Sequence, residues 1–112
     1  MNIARRPPLG LKQPKAKPRP DYLAAVRELP CIICTSFGEP QTTPTAAHHV
    51  IHGRYGQRRT PDVQAIPLCH FHHQGSVGVH TIPAEWKARY GLDVEYVAVT
   101  QDRLAHLLED RT

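Results

Sequence analysis

Pro67-Leu68-Cys69-His70-Phe71-His72-His73 decides how this chain folds. Cys69 and His72 form a Cys-x-x-His pair, and 35 residues before Cys69 stands the last residue of Cys31-Ile32-Ile33-Cys34. Two soft donors on one short segment, met later by a thiol and an imidazole, make four ligands suited to tetrahedral zinc. Cys31, Cys34, Cys69 and His72 are therefore expected to hold a structural zinc ion. Such an ion contributes on the order of 10 kcal/mol at neutral pH, enough to decide whether a small domain folds.

Outward from that stretch, local pattern predicts the elements. Val63 to Leu68 reads as a strand, and Cys69 opens a short helix ending at Gly75. Residues 45–51 carry the β-prone Val50 and Ile51 and read as the preceding strand, bearing His48 and His49. Between the strands, residues 53–61 form a turn with Arg54, Arg58 and Arg59. The order is strand, basic turn, strand, helix. Upstream, Leu23, Val26 and Leu29 repeat at helical spacing over 21–29, with Asp21 as cap and Pro30 as stop. Residues 31–34 read as a tight knuckle and 35–44 as loop, punctuated by Gly38, Pro40 and Pro44. Downstream, Pro83 starts a helix that Gly91 ends, with Trp86 and Tyr90 on its inner face. Residues 93–109 satisfy both periods, since Val94, Val97 and Val99 alternate while Val97, Leu104, Leu107 and Leu108 share a helical face. Helix is the preferred reading from Thr100 onward. The expected fold class is α+β: a small zinc-stabilised ββα core with flanking helices.

Charge divides the chain. Fourteen Lys and Arg against ten Asp and Glu give +4, yet residues 1–20 alone hold Arg5, Arg6, Lys12, Lys15, Lys17 and Arg19 and no acid. The remaining 92 residues hold eight bases and ten acids, or −2. Five prolines and few apolar groups predict that the arm 1–20 is disordered, with the folded domain spanning 21–112. A basic arm is either a solubilising tail or a tracker of nucleic-acid backbone. Three cysteines close no disulfide framework, and no apolar run approaches a membrane span or a secretory h-region. The expected compartment is a reducing one, the cytoplasm.

Once zinc has its four ligands, His48, His49, His73 and His80 remain. His48 and His49 are neighbours on a strand, so their side chains point to opposite sides; one can ligate a metal while the other faces substrate. His73 follows His72 on a helix, about 100° further round. Gly78 lets the chain bend so that His80 returns to the site. Three neutral imidazoles leave positions open on a divalent ion, as a hydrolytic metal requires. A free imidazole near neutral pKa supplies a base. Arg54, Arg58 and Arg59, with Tyr55, suit backbone phosphates. His70 and His106 read as surface residues, Trp86 as core, and His52 as a residue near the turn.

The pattern Cys-x-x-Cys, Ala-His-His, Pro-Leu-Cys-x-x-His-His and a downstream His resembles the HNH, or ββα-metal, nucleases, and among them the recombination-enhancement (Ref) nucleases of bacteriophages and prophages. The likeness covers roughly residues 30–91. It implies a ββα unit gripping a divalent metal (Mg, Mn or Zn) against a DNA phosphodiester. His49 becomes the general base, and His48, His73 and His80 the ligands of the catalytic metal. It also implies that the arm, through Lys12, Lys15, Lys17 and Arg19, binds DNA, and that a RecA-type recombinase filament is a partner. The chain departs from the pattern at the asparagine of HNH, since its sole Asn is Asn2. Asp62 or Gln64 must take that place. Asp62 is preferred, because a carboxylate there can also accept a histidine ring N–H. The expected function is a metal-dependent DNA endonuclease of a bacterial host or its prophage; the alternative is a non-catalytic zinc module that binds DNA or protein.

Overall fold

The computed structural model describes residues 17–52 and 59–109. Its centre is a two-stranded antiparallel sheet, β1 (Thr45–His49) and β2 (Ala65–Cys69), paired in register from Thr45 opposite Cys69 to His49 opposite Ala65. The basic arm up to Lys15 and most of the turn at 53–61, with Arg54 and Arg58, lie outside the described residues. What precedes β2 is a 3-10 turn, Asp62–Gln64, so the second strand starts two residues later than its apolar pattern predicts. β1 likewise stops at His49; Val50, though β-prone, is buried beyond the strand in the main core.

Helices cover both faces of the sheet, which is why every residue of β2 is buried. On one face α1 (Pro20–Arg27) packs Tyr22 and Val26 with Leu104, over Ala47 and Val63. On the other, α2 (Ile32–Phe37) and α4 (Pro83–Tyr90) enclose Ile66, Leu68, Val79 and Trp86. Between β2 and α4 lies α3 (His70–His73), a single turn. Fully burying side chains of this size contributes roughly 1.5–3 kcal/mol each. Cys31, Cys34 and Cys69 lie within the larger of these two clusters, the one on the α2 and α4 side.

Two segments differ from sequence expectation. After Cys31 the chain forms α2 through Phe37 instead of entering loop at Thr35, because Ile32 and Ile33 must both be buried and a helical turn places them so. Past Gly91, whose φ of +89° breaks α4, the chain makes a 3-10 turn (Asp93–Tyr96), then α5 (Val97–Arg103) and α6 (Ala105–Glu109). The strand option for this stretch is excluded, and helix begins three residues before Thr100. Val94 and Val99 are exposed, so their alternation signals no sheet. No helix among the described residues is long and apolar enough to cross a membrane.

Candidate functional site

Cys31 caps the start of α2, Cys34 lies one turn on, Cys69 ends β2, and His72 sits in α3. Packing of α2 and α3 against β2 brings all four together as a buried group. His72 Nδ1 lies 3.7, 3.6 and 3.3 Å from the Sγ atoms of Cys31, Cys34 and Cys69. Cys34 Sγ and Cys69 Sγ are 3.9 Å apart. A zinc ion with bonds of ~2.3 Å to sulfur and ~2.0 Å to nitrogen separates its tetrahedral ligands by ~3.8 Å (S···S) and ~3.5 Å (N···S). The four donors therefore fit an ion such as zinc. Burial raises the Cys31 and Cys34 thiols, and their neighbouring thiols raise Cys34 further. Burial also works against ionising Cys69, but the His72 backbone N–H and the Thr43 hydroxyl outweigh it and lower that thiol. His72 is lowered by burial, against the opposing pull of Glu39, whose Oε1 is 3.2 Å from His72 Nε2. A neutral ring with a carboxylate behind it presents Nδ1 as the donor.

A second group forms one residue further along α3. The rings of His48, His73 and His80 make a nearly equilateral triangle, with centroid separations of 5.0, 5.0 and 4.9 Å. One ligand atom from each lies within 4.8 Å of the others. His48 stands opposite Ile66 in the sheet and shares its face, whereas Ala47 and His49 turn to the α1 side. His80 returns because the loop after α3 folds tightly back: Val79 N–H donates to His72 O (2.9 Å) and His80 N–H to His73 O (3.1 Å). This fold-back needs Gly78 for lack of a side chain, since a Cβ there would fall 2.5 Å from the His73 carbonyl carbon. Burial, followed by repulsion from His48 and His80, holds His73 down at about 4, so it is neutral and able to ligate near pH 7. His48 Nδ1 is buried and has no hydrogen-bond partner among the described residues. Three converging rings with one orphaned nitrogen fit a divalent ion.

Across β1, His49 Nε2 lies 2.8 Å from Asp62 Oδ1. The other oxygen of Asp62 accepts the Arg19 backbone N–H at 2.8 Å. That bond first, and the His49 bond second, lower the Asp62 carboxyl. Asp62, not Gln64, is thus the residue paired to a histidine ring. Both rings of the His48–His49 pair are held by a carboxylate, from opposite sides of the strand.

A family model spans residues 2–107 of this sequence, nearly the whole chain. The chain belongs to DUF968, a family described as proteins of unknown function. No curated protein and no solved structure matches it. The family assigns no chemistry, so the functional reading of this DUF968 chain rests on its side chains.

The remaining expected residues are placed as follows. Arg59 is exposed and 3.8 Å from Asp62, and Lys17 is exposed. Arg19 is not part of a free arm: its guanidinium pairs with Asp21 at 3.0 Å while its backbone anchors Asp62. Trp86 is core, donating its indole N–H to His72 O at 3.2 Å. His70 and His106 are exposed. Two residues carry more than the sequence showed. Asp93 is fully buried, its Oδ2 2.7 Å from His48 Nε2. His52 joins it, accepting the Asp93 backbone N–H on Nδ1 at 2.9 Å. No spacing singles out either residue, because their partners lie 41 to 45 positions away.

Proposed function

We propose that this chain is a metal-dependent DNA endonuclease of the HNH class, with β1, β2 and α3 as its ββα-metal unit. The observation that carries the reading is the convergence of His48, His73 and His80, with the next residue along β1, His49, held by a carboxylate on the opposite face. A zinc module that only binds needs the Cys31, Cys34, Cys69 and His72 cluster alone and gives no employment to four further imidazoles.

A divalent ion held by the three rings would supply Lewis-acid stabilisation of the phosphodiester and of the departing oxygen. The chain's own groups do the rest. Asp62, ionised, accepts the Nε2–H of His49 and leaves Nδ1 as the basic nitrogen. That nitrogen takes a proton from a water whose oxygen bonds to phosphorus as the ester P–O bond breaks. β1 is one edge of the two-stranded sheet, so groups on its two faces can meet a substrate around that edge. Arg59, exposed on the chain's surface, would contact a backbone phosphate. DNA is the proposed substrate, and a recombinase filament a partner suggested by the Ref resemblance alone.

The test is cleavage of plasmid and single-stranded DNA with Mg, Mn or Zn added to the zinc-loaded chain. His49→Ala should lower turnover about 10²- to 10⁴-fold while retaining both metals. Absence of cleavage under every metal, with one zinc per chain and no second site, would leave the binding-module reading in its place.

A further inference from the structure

We propose that Asp93 is a positioning residue that locks the His48 ring and reserves its Nδ1 for a metal ion. This deepens the reading of His48, His73 and His80 as a metal site, and rests on it. Asp93 lies beyond the strand–strand–helix unit, in the 3-10 turn that follows α4. Its carboxylate is saturated by one short piece of chain. Oδ2 accepts from His48 Nε2 (2.7 Å) and from the Ile51 backbone N–H (2.7 Å). Oδ1 accepts the His52 backbone N–H at 2.9 Å, and the Asp93 backbone N–H returns a bond to His52 Nδ1 at 2.9 Å. His48 and Asp93 side chains are both fully buried.

Proton placement follows from this wiring. Both oxygens of Asp93 already accept backbone N–H groups, Oδ2 from Ile51 and Oδ1 from His52, so the carboxylate stands as an acceptor on both sides. A carboxylate that accepts at both oxygens needs its histidine neighbour as donor, so the proton between the two side chains belongs to His48 Nε2. With the proton on Nε2, the ring's lone pair lies on Nδ1. That nitrogen is buried without a hydrogen-bond partner among the described residues, on a ring 5.0 Å from both His73 and His80. Without Asp93, the ring could flip or shift its proton to Nδ1, and either change removes the donor from the triad. A carboxylate behind a ligating histidine is commonly worth 10- to 100-fold in metal affinity. The same carboxylate ties the end of β1 to the C-terminal helices, so that segment takes part in building the site.

The test reads proton position and metal affinity, neither of which requires cleavage. In the zinc-loaded chain with the histidine triad metal-free, long-range ¹H–¹⁵N spectra should show His48 as the Nε2–H tautomer. Added Co(II) should then shift Nδ1. Asp93→Asn should weaken Co(II) binding at the triad about 10- to 100-fold, keep one zinc at the cysteine cluster, and give mixed His48 tautomers; Asp93→Glu should recover part of the affinity. An Nδ1–H tautomer in the unmodified chain would overturn the proposal, and that measurement decides even if the Asp93 variants fail to fold. So would Asp93→Asn with unchanged Co(II) affinity, or no Co(II) binding at the triad at all. A correct tautomer and tight Co(II) binding in a chain that cleaves no DNA would instead defeat the nuclease reading and leave Asp93's role standing.

Discussion

Replacing Gly78 by alanine should cost this chain both stability and the histidine triad. The new Cβ would sit 2.5 Å from the carbonyl carbon and oxygen of His73 and 2.7 Å from Gln74 N. Comfortable carbon contacts are about 3.5–4.0 Å, so backbone must separate from backbone by roughly 1 Å. A shift of that size stretches the Val79-to-His72 and His80-to-His73 hydrogen bonds, now 2.9 and 3.1 Å, beyond useful length. Each is worth about 0.5–1.5 kcal/mol, and overpacking adds about 1–3 kcal/mol, so the loss is roughly 2–6 kcal/mol. For a domain of this size that lowers the melting temperature by about 10 °C or more. Gly38→Ala is the control. Gly38 has φ +67° but nothing within 4 Å of a Cβ, so it suffers left-handed strain alone, about 1–2 kcal/mol. Thermal unfolding followed by circular dichroism, with metal content by mass spectrometry, separates the two. Gly78→Ala should bind metal at the cysteine cluster and fail to bind a second ion; Gly38→Ala should bind both. A Gly78→Ala chain as stable as the Gly38 variant, with the triad still binding, would refute the steric argument.

Cys69→Ser should remove a donor from the buried cluster and largely unfold the domain, and far-ultraviolet circular dichroism with excess zinc checks it; native thermal stability would sink the zinc assignment. His73 gives a pH signature. Because the folded chain holds it at about 4 against an ordinary 6.5, the unfolded chain binds the proton first. Stability from this residue is complete above pH 6.5 and is lost as pH falls from there toward 4. Urea unfolding from pH 7 to 4.5 should show a steeper decline for the native chain than for His73→Gln, and equal slopes would contradict it. Deleting residues 1–16, short of the anchored Arg19, removes Arg5, Arg6, Lys12 and Lys15. The logarithmic salt slope of DNA affinity should then flatten by up to about 3–4; an unchanged slope makes that segment a spectator.

The grouping of Cys31, Cys34, Cys69 and His72 was legible because it is written in spacing. Cys31 and Cys34 lie three apart, and Cys69 and His72 do too, so local turns present each pair before any tertiary packing. His73 was legible by its position beside His72, and His80 by the need for a loop that turns back. The pairing of Asp62 with a histidine was readable, because a carboxylate just before the second strand can accept a ring N–H. Asp93 was not, since an isolated carboxylate carries no period, and its partners come from the far end of β1. The C-terminal valines misled because alternation over three residues is too short to distinguish sheet from helix. Thr100 and Leu104, four apart and both buried, were the informative pair. Arg19 was counted as arm by charge, yet a charge count sees neither its pairing with Asp21 nor its backbone bond to Asp62.

His72 and His73 are consecutive, and α3 holds four residues. Each belongs to a different group of donors, the first to the buried cysteines and the second to the imidazoles. Inserting one residue between them would turn everything after it by about 100° and advance it about 1.5 Å. The cysteine cluster would keep its donor while the triad lost His73, and the fold-back bonds to His72 and His73 would fall out of phase. α3 can therefore tolerate substitution at the exposed His70 and Phe71 but not a change of length. A family member or engineered variant with an insertion there should retain a zinc-stapled scaffold with no working second centre.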